Sequence, residues 1–470
     1  MEPGALVRRG VNDKIGAVIR RKTGLALLLA SAALGAGATD ARLLKRPAKP
    51  VDPHASKLAP QSREVIPGRQ FPEATRQAPM TDETPRVVRW MIKPMRRGMF
   101  VRLPIIDTDP NRGITFGIMP IWVLQGETDD RIKHIHAPSL TRNKDFKIIP
   151  TYRYYYYPQE DASLMVRGSF SKYEREAFVE YEDGSIAGTD LDVFIRLQYN
   201  VDAGQRFFGF GPDSPKNGEA NYKEEYAKYR VGIGVPFSHD SPWRAHFSQY
   251  SQASRILDGP LKNLPIFSGV YPNQTVRSYQ QTNENRFSLD YDTRDHGVTT
   301  SRGILTQVFA EHAIRGFASQ FDYGRYGLDA RWFRPWESDK DKVFAIQAKY
   351  EQLLGPTPPF WLQSRLGGKY SLRAYGDGRY VDRGMATVNI EQRFKLLEQQ
   401  TAGVTTELQL APFIGLGEVF DTPNRAAARY ARPVVGAAIR AVAKPQVVGS
   451  VDFGVGQEGL AVFMDINYSF

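Results

Sequence analysis

Few residues in this chain have the type and spacing for covalent chemistry. There is no cysteine, so thiolate nucleophiles, thiolate metal sites and disulfides are excluded. No G-x-S-x-G turn and no H-E-x-x-H helix occurs, which removes the common hydrolase signatures. His134 and His136 share a strand face at i and i+2, but in a polar segment such a pair is more simply solvated than metal-bound. The chemistry left is that of ion pairing. It centres on Arg373, in the stretch RLGGKYSLRAYGDGRYVDR of residues 365–383, where Gly367, Gly368, Gly376 and Gly378 surround Leu372, Arg373, Ala374 and Tyr375. Glycine at that density implies sharp backbone angles and close approach to other surfaces. A buried guanidinium needs a carboxylate. Glu391 is the first candidate, since a period of two places it with Asn389 and Arg393; Glu407 and Glu418 follow.

The elements around this loop read as strands. Residues 342–354 and 384–397 flank it, and alternation recurs from residue 98 to the end. Leu191, Val193, Ile195, Leu197 and Tyr199 oppose Asp192, Phe194, Arg196, Gln198 and Asn200. Tyr229, Val231, Ile233 and Val235 oppose Lys228, Arg230, Gly232 and Gly234. Apolar against polar faces, about ten residues at a time, is the pattern of strands between lipid and a wet interior. The expected fold is all-β: a transmembrane antiparallel β-barrel of about 16 strands, its first strand near Gly113, with the Gly-rich loop folded into the lumen. The 23 Tyr and 26 Phe suit interfacial aromatic girdles. At the C-terminus Leu460, Val462, Met464, Ile466, Tyr468 and Phe470 form one face, so a closing strand is expected over residues 459–470 with Phe470 at the girdle.

The segments before the barrel differ in kind. Residues 1–38 read as a signal peptide, with Arg20, Arg21 and Lys22 before an apolar run and Ala36, Gly37 and Ala38 as a cleavage site. Residues 39–97 are Pro-rich and basic, and read as a disordered periplasmic tether. Residues 1–97 hold 19 Lys and Arg against 8 Asp and Glu, whereas the remainder is balanced at 43 of each. A nucleic-acid surface on the folded part is therefore unsupported.

Three stretches resemble the BamA/TamA superfamily of bacterial surface antigen barrels. Gly367, Gly368, Leu372, Arg373, Ala374 and Tyr375 are similar to its lumen-loop motif, with Ala374 where glycine is usual. Residues 289–303, with Asp292, Arg294, Asp295 and Gly303, resemble a second motif, and NIEQRF at 389–394 the strand that follows the loop. The resemblance implies a barrel in the outer membrane of a Gram-negative bacterium that inserts or translocates proteins through a lateral seam, without catalysis or cofactor. It makes Arg373 a lumen anchor and Met464, Ile466, Tyr468 and Phe470 a C-terminal barrel signal. Implied partners are outer-membrane lipid, client outer-membrane or secreted proteins, and periplasmic or lipoprotein partners; nucleic acid is not among them. The chain departs from the family in two respects: Gly415 stands where the strand acid is expected, and no POTRA domain precedes the barrel. A passive pore, or a lipid or small-molecule transport barrel plugged by the Arg373 loop, is the alternative.

Overall fold

The computed structural model describes residues 90–470 apart from 127–130, 160, 240, 338, 340, 402–403, 444–446 and 467. The signal-peptide reading and the tether up to residue 89 lie outside the described residues. One 20-stranded sheet dominates. Its first half comprises β1 (Ile92–Met95), β2 (Gly98–Asp107), β3 (Thr115–Gln125), β4 (Ile132–His136), β5 (Ser139–Asn143), β6 (Lys147–Tyr156), β7 (Ala162–Phe170), β8 (Glu174–Asp183), β9 (Asp192–Phe207) and β10 (Ala220–Pro236). Then come β11 (Trp243–Asp258), β12 (Val276–Asp292), β13 (Gly303–Ala313), β14 (Tyr323–Pro335) and β15 (Lys342–Leu354). β16 (Ser364–Leu366) and β17 (Tyr380–Asp382) form a separate two-stranded sheet. The large sheet resumes with β18 (Gly384–Thr401), β19 (Val404–Phe420), β20 (Arg432–Ala443), β21 (Val447–Gly456) and β22 (Gly459–Ile466).

Every described strand pairing in the large sheet is antiparallel and, apart from β3 with β5 and β4 with β6, joins sequence neighbours, with β15 paired directly to β18. The strand number exceeds the expected 16 for physical reasons. β4 and β5 together span one position between β3 and β6. Two strands, β1 and β2, precede the one near Gly113, and β1 falls inside the stretch read as tether. Pro94 and Pro104 disguised these strands, because proline is a poor marker for a strand other than an edge strand.

The alternation is realised as two unlike faces. Tyr229, Val231, Ile233 and Val235 of β10, Phe287 of β12, Ile414 and Leu416 of β19 and Val435 and Ile439 of β20 are exposed on the outside. In water such a surface would drive association; against hydrocarbon it is the favourable one. β9 to β12 have 16 or 17 residues each. At ~3.3 Å per residue they outreach an apolar band of ~25 Å. Their surplus carries an aromatic cap in which Phe207, Tyr222, Phe267 and Phe360 are buried together.

β2, whose outer edge carries β1 from Gly98 to Val101, and β22 meet sparingly. No ladder joins β2 to β22 among the described residues; Thr108 N donates to Val462 O at 2.9 Å. Two side chains supply further acceptors, Thr108 Oγ1 for Val462 N and Asp107 Oδ2 for Met464 N. Inside, Ile466 packs, as Val101, Leu103 and Ile105 of β2 do, against the buried cluster that holds Met99, Met119 and Ile121.

The last strand ends at Ile466, not at residue 470. Tyr468 and Phe470 are buried rather than placed at a lipid interface. Phe470 packs against Phe333, Val343 and Ala345, and Tyr468 against Val442 and Val298. The alternating pattern continues to the end of the chain, but the main chain finds buried partners on the inner face instead of a strand edge.

Candidate functional site

The loop between β15 and β18 is carried inward by the β16–β17 pair, in which Ser364 faces Asp382 and Leu366 faces Tyr380. Gly367 has φ +126, and a Cβ there would lie 2.0 Å from Gly376 O, so the tip closes on itself only because Gly367 lacks a side chain; a Cβ on Gly376 would meet Asn111 Oδ1 at 2.1 Å instead. Gly367 N donates to Ser371 Oγ and Gly368 N to Tyr375 O. Leu372 and Tyr375 are fully buried. Ala374 is not among the residues of positive φ, so a side chain at this position carries no backbone penalty. The wall accommodates the tip in the same way: a Cβ on Gly454 of β21 would stand 1.7 Å from Arg373 O.

Arg373 is 1% exposed. Its Nη1 donates to Glu391 Oε2 at 2.9 Å, to Asp452 Oδ1 at 3.0 Å and to Ser469 Oγ at 3.3 Å. The guanidinium carbon lies 3.5 Å from the centre of the Phe413 ring, an attractive cation–π placement. Glu391 also receives Arg440 through two bonds, at 2.6 and 2.8 Å, and Arg393 Nε at 2.8 Å. Lys369 Nζ lies 3.9 Å from Asp452 and 4.0 Å from Asp465. Burial pushes Lys369 below the ordinary lysine range, while Asp465 and Asp452 pull the other way. Three guanidiniums thus share one carboxylate, two of them, Arg373 and Arg440, lean on a second, and tail residue Ser469 completes the set.

Other contacts hold the rim of the loop. Arg379 binds Glu458 at 2.6 Å and Ser214 O at 3.1 Å, Arg365 reaches Gln205 at 3.0 Å, and Asn111 Nδ2 donates to Asp377 O at 2.8 Å. In the 108–114 turn, burial first and the Asp107 carboxylate second raise Asp109 to about 6.

The Omp85 superfamily domain matches residues 161–454. The chain belongs to the Omp85 superfamily. Among solved structures it is similar to BamA from Haemophilus ducreyi lacking POTRA domains 1–3, with 10% identity over 79% of this chain and 70% of that one, TM-score 0.48. CdiB from Acinetobacter baumannii gives 11% identity over 78% and 59%, TM-score 0.42. CdiB from Escherichia coli gives 11% over 80% and 66%, TM-score 0.44. This chain therefore spans less than two thirds of either CdiB chain. No curated protein sequence matches.

In this Omp85 barrel the other residues singled out by sequence fall as follows. Asp292 takes Arg294 through Nε at 3.0 Å and Nη2 at 2.8 Å, Asp295 Oδ1 accepts Ser301 N, and Gly303, at φ +110, lies against Thr293 O. This turn meets the loop site through Arg393, whose Nη1 reaches Thr300 O and whose Nη2 reaches Phe470 O. Glu407 and Glu418 are not partners of Arg373: Glu407 accepts Gln409 Nε2, and Glu418 accepts Ala427 N in the loop after β19. His134 and His136 bond Tyr154 and Tyr152 through Nδ1. The sequence reading missed Asp452, Arg440, Lys369 and Asp465. A lone Asp in VVGSVDFGVG and a single Arg inside the apolar run PVVGAAIRAVA are the signals that would have found the first two.

Proposed function

We propose that this Omp85-superfamily chain inserts or translocates proteins at the outer membrane of a Gram-negative bacterium, offering to client strands the edge of β22 and the part of the β2 edge beyond Val101, where the cover given by β1 ends. The observation that carries the reading is the meeting of these two strands: among the described residues one main-chain hydrogen bond, from Thr108 at the end of β2, where neighbouring strands form ladders. Unpaired strand edges are templates for strand addition. Arg373, with Glu391 and Asp452, acts as the anchor that holds the loop in the lumen while the edges work. The buried charges pair with one another, which suits anchoring and not catalysis. Met464, Ile466, Tyr468 and Phe470 serve as the C-terminal barrel signal before the tail folds inward. Outer-membrane lipid, client proteins and periplasmic or lipoprotein partners follow from the reading.

The test uses the absence of native cysteine. Thr108→Cys and Val462→Cys together, once oxidised, should abolish the accumulation of client barrels in cells depleted of the wild-type protein, and reduction should restore it. Full function with the bond formed would overturn the seam. The plugged-pore alternative predicts steady conductance from the purified chain in planar bilayers, unaffected by that bond.

A further inference from the structure

A cavity of about 480 Å³ lies inside the sheet, bounded by the first strands, the loop tip and the last strand. That volume falls within the ~300–1,000 Å³ of small-ligand sites. Its walls are unlike. One is apolar, formed by Ile121, Ile135, Tyr155, Tyr157 and Ile466. Ile121, Ile135 and Tyr157 belong to a buried cluster on the inner face of β2 to β4, against which Tyr155 and Ile466 pack. A lumen facing only water would not favour such a wall, since exposing it costs free energy in proportion to its area. The other walls are charged: Arg167 and Arg196 pair with Glu176 and Glu180, Lys349, Arg365 and Lys369 lie near Asp329, Asp377 and Asp452, and Lys228 lines the space as well.

Arg153 is different. It projects from the inner face of β6 into the same cavity, where its Nη1 donates to Ser139 Oγ at 3.0 Å and lies 3.9 Å from Met119 Sδ. Both hydrogen-bond partners are neutral; among the described residues Arg153 makes no ion pair within 4.0 Å, and the Asp465 carboxylate of β22, which lines the same cavity, acts on it only from a greater distance. A half-buried guanidinium beside an apolar wall is best satisfied by an anion carrying an apolar tail, because charge-assisted hydrogen bonds are the strong ones and the tail removes the wall from water. Phe463, Met464 and Ile466 of β22 also line the space, so one wall belongs to a strand whose outer edge is hardly paired.

We propose that this chamber binds a single-chain anionic amphiphile, a fatty acid or a lysophospholipid, with its headgroup on Arg153 and its chain along Ile121, Ile135, Tyr155, Tyr157 and Ile466. The assignment goes beyond protein insertion and does not depend on it.

The test is binding of palmitate, of palmitoyl-lysophosphatidylglycerol and of uncharged monopalmitoylglycerol to the full chain in neutral-detergent micelles at pH 8, read by native mass spectrometry. One equivalent of an anion should be retained in preference to monopalmitoylglycerol. Arg153→Gln should weaken anion binding by roughly tenfold or more and leave the neutral lipid unchanged. Arg153→Lys should retain most of the affinity. Response to palmitate alone assigns a carboxylate ligand, and response to the phospholipid alone a phosphate; each supports the site. Equal retention of all three lipids, or anion binding by Arg153→Gln at the wild-type level, overturns it. Should Arg153→Gln fail to fold, a photoactivatable palmitate decides on the wild-type chain. Labelling at Ile121, Ile135 or Ile466 supports the site, and labelling confined to the outward-facing Ile118 and Leu140 refutes it.

Discussion

Glu391→Gln removes the charge on which three guanidiniums converge. Glu391 accepts four hydrogen bonds, one from Arg373, one from Arg393 and two from Arg440. The amide keeps one acceptor oxygen and presents donors to the others. Arg373 retains Asp452 at 3.0 Å, and Arg393 retains Thr300 O and Phe470 O. Arg440 is left worst off, because its remaining carboxylate, Asp452, is 3.8 Å away. Arg440 and Glu391 are both sealed from solvent. Loss of one partner from such a buried set costs about 3–5 kcal/mol, so opening of the loop should become more frequent by roughly two to nearly four orders of magnitude. The assay is hydrogen exchange of the amides in residues 367–379, with those of β10 and β11 as internal references. Arg373→Gln should have a comparable effect, and the double variant should fall well short of the sum because the two share one interaction. Unchanged exchange at 367–379 in Glu391→Gln, with the reference strands intact, would refute the idea that this cluster holds the loop.

Three further outcomes follow from the same geometry. Asp452→Asn should loosen the loop less than Glu391→Gln, since Asp452 accepts one guanidinium bond beside those from Ser450 and Ser469, and the same exchange measurement ranks the two. Gly454→Ala places a methyl 1.7 Å from Arg373 O and should expel the tip, exposing residues 367–379 to protease while the reference strands stay protected. Asp109 titrates at about 6 when folded, above the ordinary carboxylate range, so protonation favours the folded turn. That contribution, about 2–3 kcal/mol, is fully present below pH ~4 and is lost as pH rises through about 6. Protection of amides 108–114 should therefore fall between pH 4 and pH 7, and Asp109→Asn should flatten most of the dependence while keeping an acceptor for Asn111 N.

Alternation along each strand is a property of residues two apart, so it was legible without the fold. Tyr229, Val231, Ile233 and Val235 faced outward on that evidence alone, and the glycines of 365–383 announced a loop that approaches other backbone closely. Glu391 was found because it shares a face with Asn389 and Arg393 on the strand next to the loop. Asp452 was not, because it reaches Arg373 from 79 residues away and only the registers of β18 to β21 bring the two together.

The chain's own pattern thus determined that it forms long amphipathic strands with a basic, Pro-rich segment before them and a glycine-rich loop between two of them. Tertiary structure decided which acids meet Arg373, that β2 and not the strand near Gly113 lies beside β22, and that Tyr468 and Phe470 turn inward although their spacing continues a strand. The reason is physical. A strand pattern states which side of a surface each residue prefers, but the partners of a buried charge and of a main-chain edge are set by register and closure across the whole sheet.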